Sequence, residues 1–71
     1  MAEYVSIQFG KRVRHEREKR GISQERLGEL SGMHRTYIGM LERAEKSATL
    51  PTIAKIAEAL NVRIRDLVDF K

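Results

Sequence analysis

Basic side chains and a threonine hydroxyl occur together in one short stretch of the chain, residues 35–46. Arg35 and Thr36 open the stretch, and Arg43 and Lys46 close it. A guanidinium group donates two parallel hydrogen bonds, which fit the edge of a guanine base or a phosphate group. Hydroxyl and ammonium groups make contacts of the same kinds with fewer bonds. These side chains therefore have the chemistry to bind nucleic acid, at base edges or along the phosphate backbone.

The composition agrees with a polyanionic partner but is not specific for one. Fourteen Lys and Arg stand against ten Asp and Glu, for a net charge of +4, and six of the basic residues lie in residues 11–20. With no cysteine and two histidines on different predicted elements, we expect no metal, cofactor or catalytic site. No apolar run approaches the roughly 20 residues that span a bilayer, so we expect a cytoplasmic protein with no membrane partner and no small-molecule ligand.

The elements that position these side chains are predicted to be two short helices. Gly32 interrupts the helical pattern that follows Ser23, and a second helix is expected over residues 35–43. Two helices joined so tightly must cross at a steep angle, which gives a helix-turn-helix over residues 24–43. Gly28 leaves room for the crossing helix. The residues expected to fill the angle are Leu27, Met33, Ile38 and Leu41.

The beginnings of the first two helices are predicted from capping residues. Helix 1 is expected over residues 7–20, with Ser6 as its N-cap and Gly21 as the residue that ends it. Ser23 offers a hydroxyl to the free amides at the start of helix 2. Leu27 and Leu30 are expected to form the buried face of helix 2.

Two more helices are predicted after the helix-turn-helix. Thr49 is expected to cap helix 4, which tolerates Pro51 in its first turn and ends near Leu60, with Asn61 as its C-terminal cap. A fifth helix is expected over residues 62–68. We therefore predict one all-α domain of five helices over residues 1–71.

The C-terminal segment, residues 62–71, is predicted to carry a dimer interface. A chain end should not leave this much apolar surface in water, and a two-fold dimer would cover it. In the alternative, Ile64 and Leu67 close the core of the monomer and the last apolar residues are frayed. The four interface candidates are Ile64, Leu67, Val68 and Phe70.

Taken together, residues 20–43 (RGISQERLGELSGMHRTYIGMLER), 49–62 (TLPTIAKIAEALNV) and 63–68 (RIRDLV) resemble the phage repressor and Cro-type, or XRE-like, helix-turn-helix domains. Within that family the chain is similar to short stand-alone regulators, including restriction-modification controller proteins. The resemblance implies a lambda repressor-like five-helix fold, a homodimer, and a palindromic or repeated operator in double-stranded DNA. It also implies that helix 3 enters the major groove.

In a domain of this kind the N-terminal residues of helix 3 face base edges. Helical spacing places Arg35, Thr36, Gly39 and Met40 opposite the buried face of helix 3. We expect Arg35 to bind guanine, Thr36 to use its hydroxyl or methyl group, and Met40 to touch a thymine methyl. Gly39 permits close approach of the helix. The alternatives are a phosphate contact or free solvent for Arg35 and partial burial for Met40.

Phosphate contacts are expected around this helix. Gln24 stands where the free amides and positive dipole of helix 2 meet a phosphate. His34 opens helix 3 and either caps it or meets the DNA backbone, whereas capping is the favoured role of Thr49. The resemblance also implies a partly buried ion pair between Arg17 and Glu42, which fixes the angle of helix 3. The further backbone contacts that it implies are Tyr37, Arg43, Lys46, Ser47 and Thr49.

The chain departs from the family pattern at three positions. Gly28 stands where alanine is commoner, Ala44 replaces a glycine, and Ala48 replaces a frequent proline. The first difference should destabilise helix 2 by up to about 1 kcal/mol. Because of the second, the turn after Arg43 is not expected to follow the family's conformation.

The alternative function is an antitoxin-like or adaptor protein whose main ligand is another protein. RNA binding is disfavoured because the four aromatic residues are widely spaced.

Overall fold

A computed structural model describes residues 3–70 of the chain as five α-helices joined by short turns. The all-α prediction is confirmed, and so is the number of helices. None of the helices in this part of the chain has the length and apolarity to span a membrane. The helices are α1 Tyr4–Lys19, α2 Gln24–Ser31, α3 Arg35–Glu42, α4 Leu50–Leu60 and α5 Ile64–Val68.

The predicted start of helix 1 is wrong by one turn. The helix begins at Tyr4, and Glu3 occupies the N-cap position without a side-chain cap. The turn closes because the backbone N–H of Ile7 donates to the carbonyl of Glu3 at 3.0 Å. Ser6 lies inside α1, where its hydroxyl is 3.4 Å from that of Ser47. Tyr4 is exposed, so this first turn has no apolar periodicity by which the sequence could indicate it.

The core lies where all five helices meet. The prediction for Leu30 is wrong, because this side chain is 46% exposed while Leu27 is fully buried. Ser31 takes the inward position instead, and its hydroxyl donates to the carbonyl of Leu27 at 2.7 Å. One buried polar side chain is thus satisfied within its own helix. The buried apolar residues are Phe9, Val13, Leu27, Ile38, Leu41, Ile56, Ala57, Leu60 and Leu67.

Helices α2 and α3 cross as a helix-turn-helix, as predicted. Ser23 caps α2, because its hydroxyl accepts from the N–H of Arg26 at 3.0 Å. Gly32 ends α2 in the left-handed conformation, at φ 74°. A Cβ at Gly28 would overlap the carbonyl oxygen of Met33 and lie 3.2 Å from the N–H nitrogen of Arg35. The glycine therefore lets the entry to α3 pass directly over α2.

Helix α1 contacts the far end of α3 through a second glycine. A Cβ at Gly10 would overlap the carbonyl oxygen of Leu41 and stand 2.7 Å from that of Glu42. The backbones of α1 and α3 are therefore in direct contact at the C-terminal end of α3. This close approach was not predicted from the sequence, although an interior glycine that costs a helix about 1 kcal/mol is itself a signal of tight packing.

The last two helices follow the predicted caps, with one correction. Thr49 accepts a hydrogen bond from the N–H of Thr52 at 3.3 Å, and Asn61 ends α4 at φ 57°. Helix α5 begins at Ile64 rather than at residue 62. Val62 instead takes part in the C-terminal capping of α4, since its N–H donates to the carbonyl of Ala57 at 2.9 Å.

Candidate nucleic-acid interface

The two polar residues that open α3 point into solvent. Thr36 is exposed, and the Arg35 side chain is 64% exposed. A guanidinium nitrogen of Arg35 lies 3.7 Å from a carboxylate oxygen of Glu25 on α2. An exposed pair at this distance is weak, so Arg35 can leave it for another acceptor at little cost.

The other two residues that were placed on this outward face differ from Arg35 and Thr36. Met40 is only partly exposed, which agrees with the alternative of partial burial. Gly39 is buried, although a Cβ there would be directed at the side chains of Arg43 and Gln24 and not at the core. The side chains of Gln24 and Arg43 cover it, because α2 begins beside this turn of α3.

His34 is the N-cap of α3. Its Nδ1 accepts a hydrogen bond from the backbone N–H of Thr36 at 3.0 Å. The cap satisfies one of the free amides of the first turn and needs an unprotonated Nδ1. His34 therefore orients the end of α3 that carries Arg35.

A buried ion pair joins α1 to the end of α3. The Arg17 guanidinium donates to the Glu42 carboxylate from Nε at 2.7 Å and from Nη2 at 3.0 Å. The side chains are 11% and 2% exposed, respectively. Arg17 also donates to the carbonyl of Ile22, and the Gln24 amide donates to Glu42 at 3.1 Å. The hydrogen bond to Glu42 raises the pKa of Arg17 above its ordinary value.

This network changes the interpretation of Gln24. It stands at the first residue of α2, as expected for a phosphate contact at a helix N-terminus. Its amide group also links α2 to the buried carboxylate of Glu42, which was not predicted. One of its two N–H bonds is used in this way, and the second is left for another acceptor.

The remaining phosphate candidates lie in and after α3. Tyr37 is partly buried and packs against the core. Lys46 and Ser47 are exposed in the loop before α4, and the hydroxyl of Thr49 is used as the cap of α4. The structure thus places this set around the outer end of α3 and the loop that follows it.

Arg43 forms an exposed ion pair that was not predicted. Its Nε donates to Glu45 at 2.8 Å and its Nη2 at 3.3 Å. These bonds raise the pKa of Arg43 and lower the pKa of Glu45. Ala44 lies between them at φ 60°, the left-handed conformation that glycine adopts more easily. The turn after α3 therefore has the shape that a glycine would give it, at the cost of some backbone strain.

The four predicted interface residues do not share one environment. Leu67 is fully buried and closes the monomer core, so it offers no surface to a partner. Phe70 is partly buried against the same core. Ile64 and Val68 are 45% and 38% exposed, and they form the apolar surface that α5 presents. Arg12 of α1 holds this end of the chain, because its guanidinium donates to the carbonyls of Asp66 and Asp69.

No group of three or more His, Cys, Asp or Glu side chains within residues 3–70 is arranged to hold a metal ion. The surface around α3 instead combines hydrogen-bond donors with exposed cations, of which Arg35 and Arg43 form ion pairs on the surface. Such a combination of side chains fits a polyanion that also presents hydrogen-bonding groups at the edges of its bases, which is the chemistry of a nucleic acid.

Comparison with known proteins assigns this arrangement to a family. Residues 13–67 match the model of the helix-turn-helix family HTH_3. The chain is 41% identical to the control protein C.BamHI of Bacillus amyloliquefaciens over 71 residues, which cover 99% of this chain and 88% of that protein. Both matches include the whole of α2 and α3.

Solved structures give the same result. The restriction-modification controller protein C.AhdI from Aeromonas hydrophila superimposes with a TM-score of 0.86 at 42% identity, over 87% of this chain and 94% of that one. The P22 c2 repressor, solved in complex with a synthetic operator, gives a TM-score of 0.79 at 28% identity, over 84% and 91% of the two chains. The chain therefore belongs to the HTH_3 helix-turn-helix family and is a DNA-binding transcriptional regulator similar to the controller proteins.

Proposed function

We propose that the protein binds a palindromic or repeated operator as a homodimer, with α3 of each subunit in the major groove. The observation that carries the proposal is the pair Arg35 and Thr36, exposed at the N-terminal end of a helix whose other end is fixed by the buried pair of Arg17 and Glu42. A groove-reading helix needs both features, free side chains at one end and a fixed angle at the other.

The base contacts are assigned to three residues of α3. Arg35 leaves its weak pair with Glu25 and donates two hydrogen bonds to guanine O6 and N7. Thr36 contacts the neighbouring base with its hydroxyl or methyl group. Met40, which is partly exposed, contacts a thymine methyl.

The phosphate contacts surround these base contacts. They fix the position of α3 on the duplex and supply the part of the affinity that falls with salt. Because each neutralised phosphate releases counterions, the affinity is expected to fall steeply as the ionic strength rises. The residues assigned to the DNA backbone are Gln24, His34, Tyr37, Arg43, Lys46, Ser47 and Thr49.

The dimer is assigned to the surface of α5. Ile64 and Val68 expose apolar area that a two-fold contact would remove from water, and Phe70 borders it. Two recognition helices about 34 Å apart would then meet successive major grooves on one side of the DNA. The relatives reported above come from bacteria, in which genomic DNA lies in the cytoplasm, so the cytoplasm is the location proposed for this function.

The experiment is selection of binding sites from random duplex DNA, carried out with the natural chain and with Arg35→Ala. The natural chain is expected to enrich a palindrome or a repeat. The variant is expected to lose one defined base preference in each half-site and to retain the others. Arg14→Ala is the matched control, since Arg14 lies on α1 and is also 64% exposed.

Two results would contradict the proposal. Enrichment of no preferred sequence would remove specific DNA binding, and an unchanged preference in Arg35→Ala would remove Arg35 as a reader. Sedimentation of the natural chain tests the dimer separately. A monomer at tens of micromolar, a rough working range for such domains, would remove the expected 34 Å spacing.

A further inference from the structure

His34 contacts one of the residues assigned to base reading through a bond that depends on its own protonation. It is the N-cap of α3 and directly precedes Arg35 and Thr36 in the chain. Its Nδ1 accepts a hydrogen bond from the backbone N–H of Thr36 at 3.0 Å. The hydroxyls of Ser23 and Thr49 make the corresponding bonds at the starts of α2 and α4. The cap of α3 thus differs from these two in using an imidazole ring.

This cap exists in only one form of the imidazole ring of His34. A neutral imidazole has one bare nitrogen, which accepts, and one N–H group, which donates. Because Nδ1 accepts in the cap, the hydrogen of the neutral ring is on Nε2. In the imidazolium both nitrogens carry a hydrogen, so neither can accept from Thr36. Histidine is also the side chain whose charge ordinarily changes between about pH 5 and 8.

Charged groups of α2 and α3 surround the exposed ring. The carboxylates of Glu25 and Glu29 on α2 line one surface cavity with His34. Arg35 lines the same cavity. The carboxylates attract an imidazolium, whereas Arg35 and the positive end of the α3 dipole repel one. A protonated ring is therefore drawn toward α2 and away from the amide of Thr36.

We propose that His34 is a positioning residue that makes recognition of the operator depend on pH. The neutral ring holds the first turn of α3, and with it Arg35 and Thr36, in the conformation that reads bases. Protonation removes the cap, so the protonated chain must release that proton to bind its operator. The inference rests on the proposed function and adds to it the condition under which α3 reads DNA.

The affinity for the selected operator tests the inference when it is measured at about pH 7.5 and about pH 5.5, on either side of the ordinary histidine transition. At one salt concentration, the affinity of the natural chain is expected to fall about fivefold at the lower pH, the factor for the loss of one N-cap. Binding to a duplex of unrelated sequence is expected not to weaken, because a more positive chain still contacts phosphates. Specific binding should thus be lost selectively.

Three variants identify the group responsible. His34→Asn keeps an acceptor at the N-cap and does not change its charge, so it is expected to bind with similar affinity at both pH values. His34→Ala removes the cap and is expected to bind about fivefold more weakly than the natural chain at the higher pH, with no further fall at the lower one. His15→Gln is the control, since it removes the exposed histidine of α1 and should keep the pH dependence of the natural chain.

The free protein provides a measurement that needs no DNA. In amide NMR spectra of the natural chain, the signal of Thr36 is expected to shift between the two pH values as its hydrogen bond to Nδ1 is lost. In His34→Asn the same signal is expected to keep its position.

Three results would overturn the inference. A Thr36 signal that moves equally in the natural chain and in His34→Asn would show that the ring does not control the cap. An affinity that is independent of pH, or that falls equally in His34→Asn, would remove His34 as the cause. An affinity that rises at the lower pH in the natural chain alone would make His34 a cationic phosphate contact instead. The proposed function would stand in each case if Arg35→Ala still altered the sequence selected at the higher pH.

Discussion

Two neighbouring residues at the end of α3 form ion pairs of nearly the same length in opposite environments. Glu42 pairs with Arg17 at 2.7 Å, and Arg43 pairs with Glu45 at 2.8 Å. The first carboxylate is 2% exposed, whereas the side chains of the second pair are 56% and 52% exposed. The two ion pairs thus have almost the same N···O distance, but one is buried and the other is exposed to solvent.

The difference shows that burial, not distance, decides what an ion pair does. A buried carboxylate that loses its partner cannot recover its hydration, so the pair holds α1 and α3 together. An exposed pair gains little over hydration by water and is easily exchanged for another ligand. The chain thus places a fixed contact at the last residue of α3 and an exchangeable one at the residue that follows it.

Removal of the buried carboxylate is expected to have the largest effect. Glu42→Ala leaves Arg17 charged and unpaired in the core, which should cost about 3–5 kcal/mol of unfolding free energy. Thermal unfolding followed by circular dichroism should show a melting temperature lower by more than about 10 °C, or no folded state. Glu18→Ala is the control, because Glu18 pairs with Arg14 at 3.1 Å on the surface. A variant that melts like the natural chain would show that the pair is not buried in solution.

Removal of the exposed cation is expected to affect DNA binding and not folding. Arg43→Ala should weaken operator binding about tenfold and make the salt slope shallower by about 0.9. Its melting temperature should stay within a few degrees of that of the natural chain, since the substitution of an exposed side chain has little effect on stability. Fluorescence anisotropy titrations at several salt concentrations measure both quantities. Large destabilisation would mean that this pair, too, supports the fold.

The turn that joins the two residues of the exposed pair can be relaxed. Ala44→Gly is expected to stabilise the chain by about 1 kcal/mol, because glycine adopts the left-handed conformation at φ 60° without strain. Gly21→Ala is the reciprocal control, at φ 65° with open space around its Cα. It should destabilise by a similar amount. Urea unfolding of both variants provides the measurement, and changes of the same sign would refute the explanation by backbone strain.

The smallest effect on folding is expected at the exposed carboxylate. Glu45→Ala should leave the unfolding free energy nearly unchanged, because both partners remain hydrated. Urea unfolding alongside Glu42→Ala compares the two carboxylates under one set of conditions. A loss approaching that of Glu42→Ala would contradict the contrast between the pairs.

Most of the fold could be predicted because local rules determine it. Ser23, Thr49, Gly32 and Asn61 act at helix ends through their own hydroxyls or backbone conformations, so their effects need no knowledge of distant residues. The start of α1 could not be predicted, because Glu3 supplies no side-chain cap. Leu30 was misplaced because α2 is short and its apolar residues are too few to define one face.

The site could be predicted less completely because its details depend on contacts through space. The outward position of Arg35 follows from the helical period alone. The bond from Gln24 to Glu42 and the cover over Gly39 depend on where α2 begins beside α3, which no spacing within one helix specifies. Burial of Leu67 likewise depends on how α5 lies against α1 and α4.

The contact of Gly10 with the last carbonyls of α3 has a practical consequence. It secures the helix at residues 41 and 42, whereas the side chains assigned to base reading begin at residue 35. Retargeting the regulator to a new operator can then be confined to a combinatorial library at positions 35, 36 and 40. Successive generations of such variants would share one unaltered scaffold, and several could work side by side in an engineered genetic circuit.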